Sequence, residues 1–95
     1  MIVRIVKLTF KPELVQDFID YERRIHEKIV GFNGCVKMNI LNDIKNRNIF
    51  ISISYWESEE ALEKYRRSDF FRNIWSDVKK MFLSSPEAWS TKIVL

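Results

Sequence analysis

Ile49-Phe50-Ile51-Ser52-Ile53-Ser54-Tyr55-Trp56-Glu57-Ser58 decides how the rest of the chain folds. Side chains alternate along a strand, so Ile49, Ile51, Ile53 and Tyr55 share one face and Phe50, Ser52, Ser54 and Trp56 the other. The first set is expected to face the helices. Ser58 stands where an N-cap belongs, its oxygen placed to accept an orphan N–H, and Glu59 and Glu60 complement the positive end of the helix that starts there. That helix offers Ala61, Leu62 and Tyr65 as a buried edge. Ser68-Asp69 then repeats the capping chemistry ahead of Phe70, Phe71, Ile74, Trp75, Val78, Met81 and Phe82, which predicts a bent or restarted helix. So wide an arc of rings exceeds a contact stripe, and the expectation is that it lines a cavity as well as closing a core.

Upstream, Ile2 to Phe10 reads as a strand with Ile2, Val6, Leu8 and Phe10 on one side, interrupted by Arg4, and Val3, Ile5, Lys7 and Thr9 on the other. Lys11-Pro12-Glu13 ends it, because proline suits a first helical turn. Leu14, Phe18, Tyr21, Ile25 and Ile29 then follow at helical spacing, one face of an amphipathic helix that packs on a sheet. Gly31 is expected to supply a left-handed C-cap, and Gly31-Phe32-Asn33-Gly34 to turn into the second strand, Cys35 to Asn42. There Val36, Met38 and Ile40 oppose Cys35, Lys37, Asn39 and Leu41. The polar run from Asn42 to Asn48 predicts a hairpin into the third strand. After Ser84-Ser85-Pro86, Ala88 to Leu95 reads as the last strand, with Trp89, Ile93 and Leu95 on its apolar side. The order βαββαβ predicts one α+β domain over residues 1–95. Its fold is ferredoxin-like: a four-stranded antiparallel sheet with two helices on one face.

Composition narrows the function classes. With 46% hydrophobic and 14% aromatic residues, 95 residues bury a core without staples, although so small a domain gains from a partner subunit. The one cysteine, Cys35, excludes an internal disulfide and a multi-cysteine metal cage and suits a reducing compartment, so cytoplasm is the expected location. The N-terminal residues lack a signal-peptide pattern, and no apolar run approaches the ~18 residues that cross a bilayer, so no membrane association is expected. The net charge of +3 comes from 16 basic and 13 acidic residues mixed through the helices, without the dense patch that nucleic acid requires.

The second sheet face is expected to carry Val3, Ile5, Cys35, Leu41, Phe50, Trp56 and Val94 beside polar groups that include Asn39. That is more apolar surface than a solvated face needs. It predicts a homodimer, sheet against sheet.

Tyr55-Trp56-Glu57-Ser58-Glu59-Glu60-Ala61-Leu62, then Tyr65-Arg66-Arg67-Ser68-Asp69-Phe70-Phe71 and Trp75, resembles the signature segment of the antibiotic biosynthesis monooxygenase domain family. Gly31-Phe32-Asn33-Gly34 falls where that family turns from helix to strand. The resemblance covers the element order of nearly the whole chain and is concentrated at positions 49 to 75. It implies a dimeric α+β barrel, a fold that hosts oxygenases, haem degraders, isomerases and proteins without assigned roles. It further implies a cofactor-free oxygenase in which a small aromatic phenol, anthrone or quinol, bound between helices and sheet, itself reduces oxygen without flavin or metal.

Such a site needs an apolar slot and a few polar groups that deprotonate the phenol and hold its anion. Candidates for its walls are Val6, Phe18, Ile51, Ile53, Phe71 and Trp75, with Tyr21, Tyr55 and Tyr65 as the nearest hydroxyls. Each of them suits an ordinary core better than a site, since aromatic stripes at helical spacing usually just pack. No acid or histidine falls clearly on the helix-facing side, so the general base is unassigned. A non-catalytic ligand-binding module and an isomerase or cyclase of the same fold stay open.

The haem-degrading branch fits less well. Its strand asparagine, helix tryptophan and helix histidine correspond here to Val6, Tyr65 and Trp75, leaving no axial ligand for iron. The sole histidine, His26, sits one turn after Glu22 and reads as its partner at the solvent edge. One histidine and one cysteine on different elements make no metal site, and Cys35 reads as a packing residue.

Overall fold

The computed structural model describes residues 1–95. Strands β1 (Ile2–Thr9), β2 (Cys35–Asn42), β3 (Ile49–Trp56) and β4 (Glu87–Lys92) form one antiparallel sheet in the order β2-β3-β1-β4. Helix α1 (Val15–Val30) joins β1 to β2, while α2 (Glu59–Arg67) and α3 (Asp69–Val78) join β3 to β4. This is the expected ferredoxin-like α+β architecture. No helix is long and apolar enough to cross a membrane.

Local chemistry sets the helix ends. Pro12 opens a short 3-10 turn, Pro12–Leu14, that leads into α1, whose buried residues Val15, Phe18, Glu22 and Ile29 form one stripe. Ser58 Oγ accepts the Ala61 N–H at 3.1 Å and starts α2. Ser68 divides the second helical segment. Its backbone is extended (φ −71°, ψ 152°); its Oγ accepts the Phe71 N–H at 3.0 Å, and its hydroxyl donates to the Tyr65 carbonyl at 2.6 Å. One side chain thus closes α2 and opens α3, and the restart carries Tyr65, Phe71 and Trp75 over the same part of the sheet.

Pairing register decides which strand faces point inward, and it reverses the expectation for β3. Leu8 lies opposite Phe50, Val6 opposite Ser52, Arg4 opposite Ser54 and Ile2 opposite Trp56. This set lies under the helices, with Leu8, Phe50 and Trp56 in the buried cluster that includes Phe18, Leu62, Tyr65, Ile74 and Val78. Phe50 and Trp56, expected at a dimer face, are therefore core residues only 3% and 1% exposed. Ile51, Ile53 and Tyr55, expected to wall a slot, lie on the open face opposite Lys7, Ile5 and Val3. Both faces of β3 carry apolar groups, so alternation separates two sets without telling which is inward. The larger rings decide it by packing on aromatic partners in the helices: Phe50 meets Phe18 edge to face at 5.1 Å and Trp56 lies tilted against Tyr65 at 4.8 Å between centroids.

Smaller expectations are also corrected. A bulge between Cys35 and Lys37 turns Cys35 toward the core and leaves Val36 exposed on the edge strand. Trp89 pairs opposite Ile5 and so lies on the open face, half exposed; β4 ends at Lys92, which places Val94 beyond the sheet. Gly31 has φ −77°, an ordinary helical value, and the left-handed residue is Gly34, at φ 91°. The open face that results holds Val3, Ile5, Leu41, Ile49, Ile51, Ile53, Tyr55 and Trp89 beside Lys7, Lys37 and Asn39.

Candidate active site

A cavity of about 310 Å³ lies between the sheet and the helices, within the ~300–1,000 Å³ range of small-molecule sites. Its floor comes from Arg4, Val6 and Leu8 of β1, Met38 and Ile40 of β2, Ser52, Ser54 and Trp56 of β3, and Ala88 of β4. Phe18, Glu22 and Ile29 of α1, Leu62, Tyr65 and Arg66 of α2, and Phe71, Ile74, Trp75 and Val78 of α3 roof it. The space exists because β3 places two small serines inward between the large rings of Phe50 and Trp56. Ser54 Oγ accepts the Trp56 indole N–H at 2.9 Å, which fixes that ring, while Phe71 and Trp75 stack with centroids 5.9 Å apart.

Of the sequence-derived candidates, Val6, Phe18, Tyr65, Phe71 and Trp75 come together in this lining, and Tyr21, Ile51, Ile53 and Tyr55 do not. The Tyr21 hydroxyl instead donates to Asp77 Oδ2 at 2.7 Å, clasping α1 to α3. Desolvation, and after it this bond, push its ionisation up to about 12.

The residue that sequence reasoning passed over is Glu22. It is only 9% exposed, lines the cavity, and also faces an outer groove that holds His26 and Asn39. Glu22 Oε1 shares a hydrogen bond with His26 Nδ1 at 3.1 Å, as the spacing predicted. Burial raises the Glu22 pKa, and the bond to His26 and its charge oppose that rise only in part. Tyr65, 8% exposed, has its phenol pushed up first by burial and then by the negative charge of Glu22 and of Cys35. Acid and phenol therefore sense each other across the cavity. The signal in the sequence was an acid four residues after Phe18, inside the apolar stripe of α1.

Glu22 is the only carboxylate in the lining, which contains no histidine or cysteine. Val6, Tyr65 and Trp75, at the positions tested against the haem degraders, all border the cavity and present no imidazole. Burial also raises the Cys35 thiol, against a weaker opposing backbone hydrogen bond at Lys37, so it is no thiolate nucleophile.

Residues 1–75 match the antibiotic biosynthesis monooxygenase family. The chain belongs to that family. A solved structure described as an antibiotic biosynthesis monooxygenase superposes with TM-score 0.91 at 19% identity, covering 100% of both chains. A conserved protein from Methanosarcina mazei Go1 gives 0.88 at 25% identity over 97% of this chain and 92% of its own. Rv0793 from Mycobacterium tuberculosis gives 0.88 at 12% identity over 98% of this chain and 94% of its own. No curated protein matches. At these identities the likeness establishes the monooxygenase-family fold, while the chemistry has to be argued from the cavity itself.

Proposed function

We propose that this member of the antibiotic biosynthesis monooxygenase family oxidises a small aromatic phenol, anthrone or quinol with molecular oxygen, the substrate supplying the electrons. The observation that carries this reading is a buried carboxylate, Glu22, in a largely apolar cavity of about 310 Å³ that also contains a protonated phenol, Tyr65. Stacking on Phe71 and Trp75 holds a flat ring. Ionised Glu22 accepts the acidic proton of the substrate, and Tyr65 donates a hydrogen bond to the oxyanion that forms. For an anthrone the ledger is complete: the carbanion gives one electron to oxygen, the radical pair joins as a carbon-bound peroxide, and loss of water leaves the quinone carbonyl. One oxygen atom ends in product and the other in water. The proton on Glu22 has a way out through His26 in the outer groove. Glu22 supplies an acid on the inner face, where its expected lack had favoured a binding-only reading, and so supports catalysis over binding alone.

The test is oxygen uptake by the purified protein, without additives, across anthrones, naphthols and hydroquinones. Uptake is expected for at least one class and should fall by about tenfold or more in Tyr65→Phe, which loses the hydrogen bond to the oxyanion. Tight binding without uptake would point to a binding module, and turnover without oxygen to an isomerase.

The open sheet face supports a homodimer. Val3, Ile5, Ile51, Ile53, Tyr55 and Trp89 form an apolar field there, because β3 presents its isoleucines outward. Ile53→Lys is expected to weaken association by about a hundredfold or more, seen as a shift to monomer mass in light scattering. An unchanged mass at micromolar concentration would argue against this face.

A further inference from the structure

We propose that Arg4 and Arg66 form a carboxylate-recognition pair at the rim of the cavity, so that the molecule it takes is an aromatic carboxylic acid. The inference names the substrate class of the site described above and rests on reading that cavity as an open ligand site. Arg4 occupies an inward position near the start of β1, between Ile2 and Val6, where an aliphatic side chain would continue the core. It is half-buried and makes no ion pair; its one side-chain bond runs from Nη1 to the neutral Ser90 Oγ at 2.9 Å. A guanidinium has five N–H donors, so most of its capacity is uncommitted.

Arg66, from α2, lines the same cavity and lies close enough to Arg4 that, after burial itself, its charge is the main influence lowering the Arg4 pKa. The carboxylate that offsets this, Glu63, is already shared between Arg66 Nη1 at 3.0 Å and Arg67 Nε at 3.8 Å. The rim therefore carries an excess of positive charge, held on a rigid strand and a capped helix. Such a pair is unfavourable until an anion joins it. A planar two-oxygen anion matches the guanidinium fork, and the adjoining walls, Val6, Phe71 and Trp75, are apolar and aromatic. Together they describe a ring system with a carboxylate at one end.

Binding is measured with 2-naphthoate and its neutral counterpart 2-naphthamide, following the fluorescence of the protein's tryptophans, two of which line the cavity. Neither probe is a phenol or an anthrone, so the result does not depend on oxygen chemistry. The carboxylate is expected to bind about tenfold or more tightly than the amide, a preference lost in Arg4→Gln and in Arg66→Gln and only partly kept in Arg4→Lys. Should Arg4→Gln fail to fold, the exposed Arg66→Gln carries the same expectation. Equal affinity for the two probes, a preference that survives Arg66→Gln, or no binding of 2-naphthoate at all overturns the proposal. A protein that oxidises neutral anthrones yet shows no carboxylate preference would keep its oxygenase reading and lose this one.

Discussion

Glu22→Gln is expected to lower kcat/KM for a phenol or anthrone by about a hundredfold or more, the usual contribution of a positioned general base, while making the protein more stable at neutral pH. The two effects have one cause. Burial raises the Glu22 pKa above its ordinary value of 4.5, and His26 offsets this only in part. The folded state therefore holds a proton more tightly than the unfolded chain does. Its stabilising contribution is fully present below the unfolded value and is lost as pH rises through the folded one. Across that window the wild type should lose melting temperature relative to the glutamine variant, which does not titrate.

Activity runs the other way. The base works only when ionised, so wild-type kcat/KM should climb through the raised pKa and the variant should show a flat, low profile. Melting curves and initial rates measured from about pH 4 to pH 8 read both. Full activity in Glu22→Gln would remove the carboxylate from the mechanism. Parallel melting profiles would mean that burial does not raise its pKa as argued.

Gly34→Ala should cost about 2–4 kcal/mol, combining the strain of a non-glycine residue at positive φ with the penalty of overpacking. Gly34 sits at φ 91°, and a Cβ added there would lie 2.4 Å from the Ala61 Cβ, far inside contact distance. Neither side can easily give way. Ala61 is in the first turn of α2, held by the Ser58 cap, and the Gly34 carbonyl accepts the Glu57 N–H at 2.9 Å. A double-mutant cycle with Ala61→Gly separates the terms. The clash should vanish in the double variant, while the backbone strain and a helix-propensity loss of about 1 kcal/mol remain. Denaturant midpoints measure it. Near-wild-type stability in Gly34→Ala alone would show that the turn and helix can move apart.

Much of the fold was legible because local chemistry announces itself in short patterns. Ser58 before Glu59-Glu60, Ser68 before Asp69 and Pro12 after β1 mark helix ends through interactions within a few residues, and each appears where its spacing placed it. What could not be read depends on partners distant in the chain. Ile51 and Ser52 alternate plainly, yet only the pairing of β3 with β1 says which of them meets the helices. A bulge at Val36 shifts Cys35 to the inner face, and no composition rule locates such an insertion.

The candidate site divides the same way. Phe71 and Trp75 follow from helical periodicity. Glu22 does not, because its place in the cavity lining beside Phe18 and Ile40 arises only when α1 docks on the sheet; in the sequence it looks like one more charge beside His26. Glycine placement misled for a related reason. Gly31 follows a helix and invites a left-handed cap, but the close approach of α2 puts the demand for a missing side chain at Gly34 instead.

The two inward serines of β3 have a bearing on how this molecule can diversify. Ser54 is engaged by the Trp56 indole and so is tied to the shape of the core, whereas Ser52 forms no side-chain hydrogen bond and sits on a strand paired through its backbone on both edges. Its side chain contributes chiefly empty room. Ser52 is thus a position at which a smaller or larger side chain resizes the chamber and leaves the Trp56 ring, anchored by Ser54, in place.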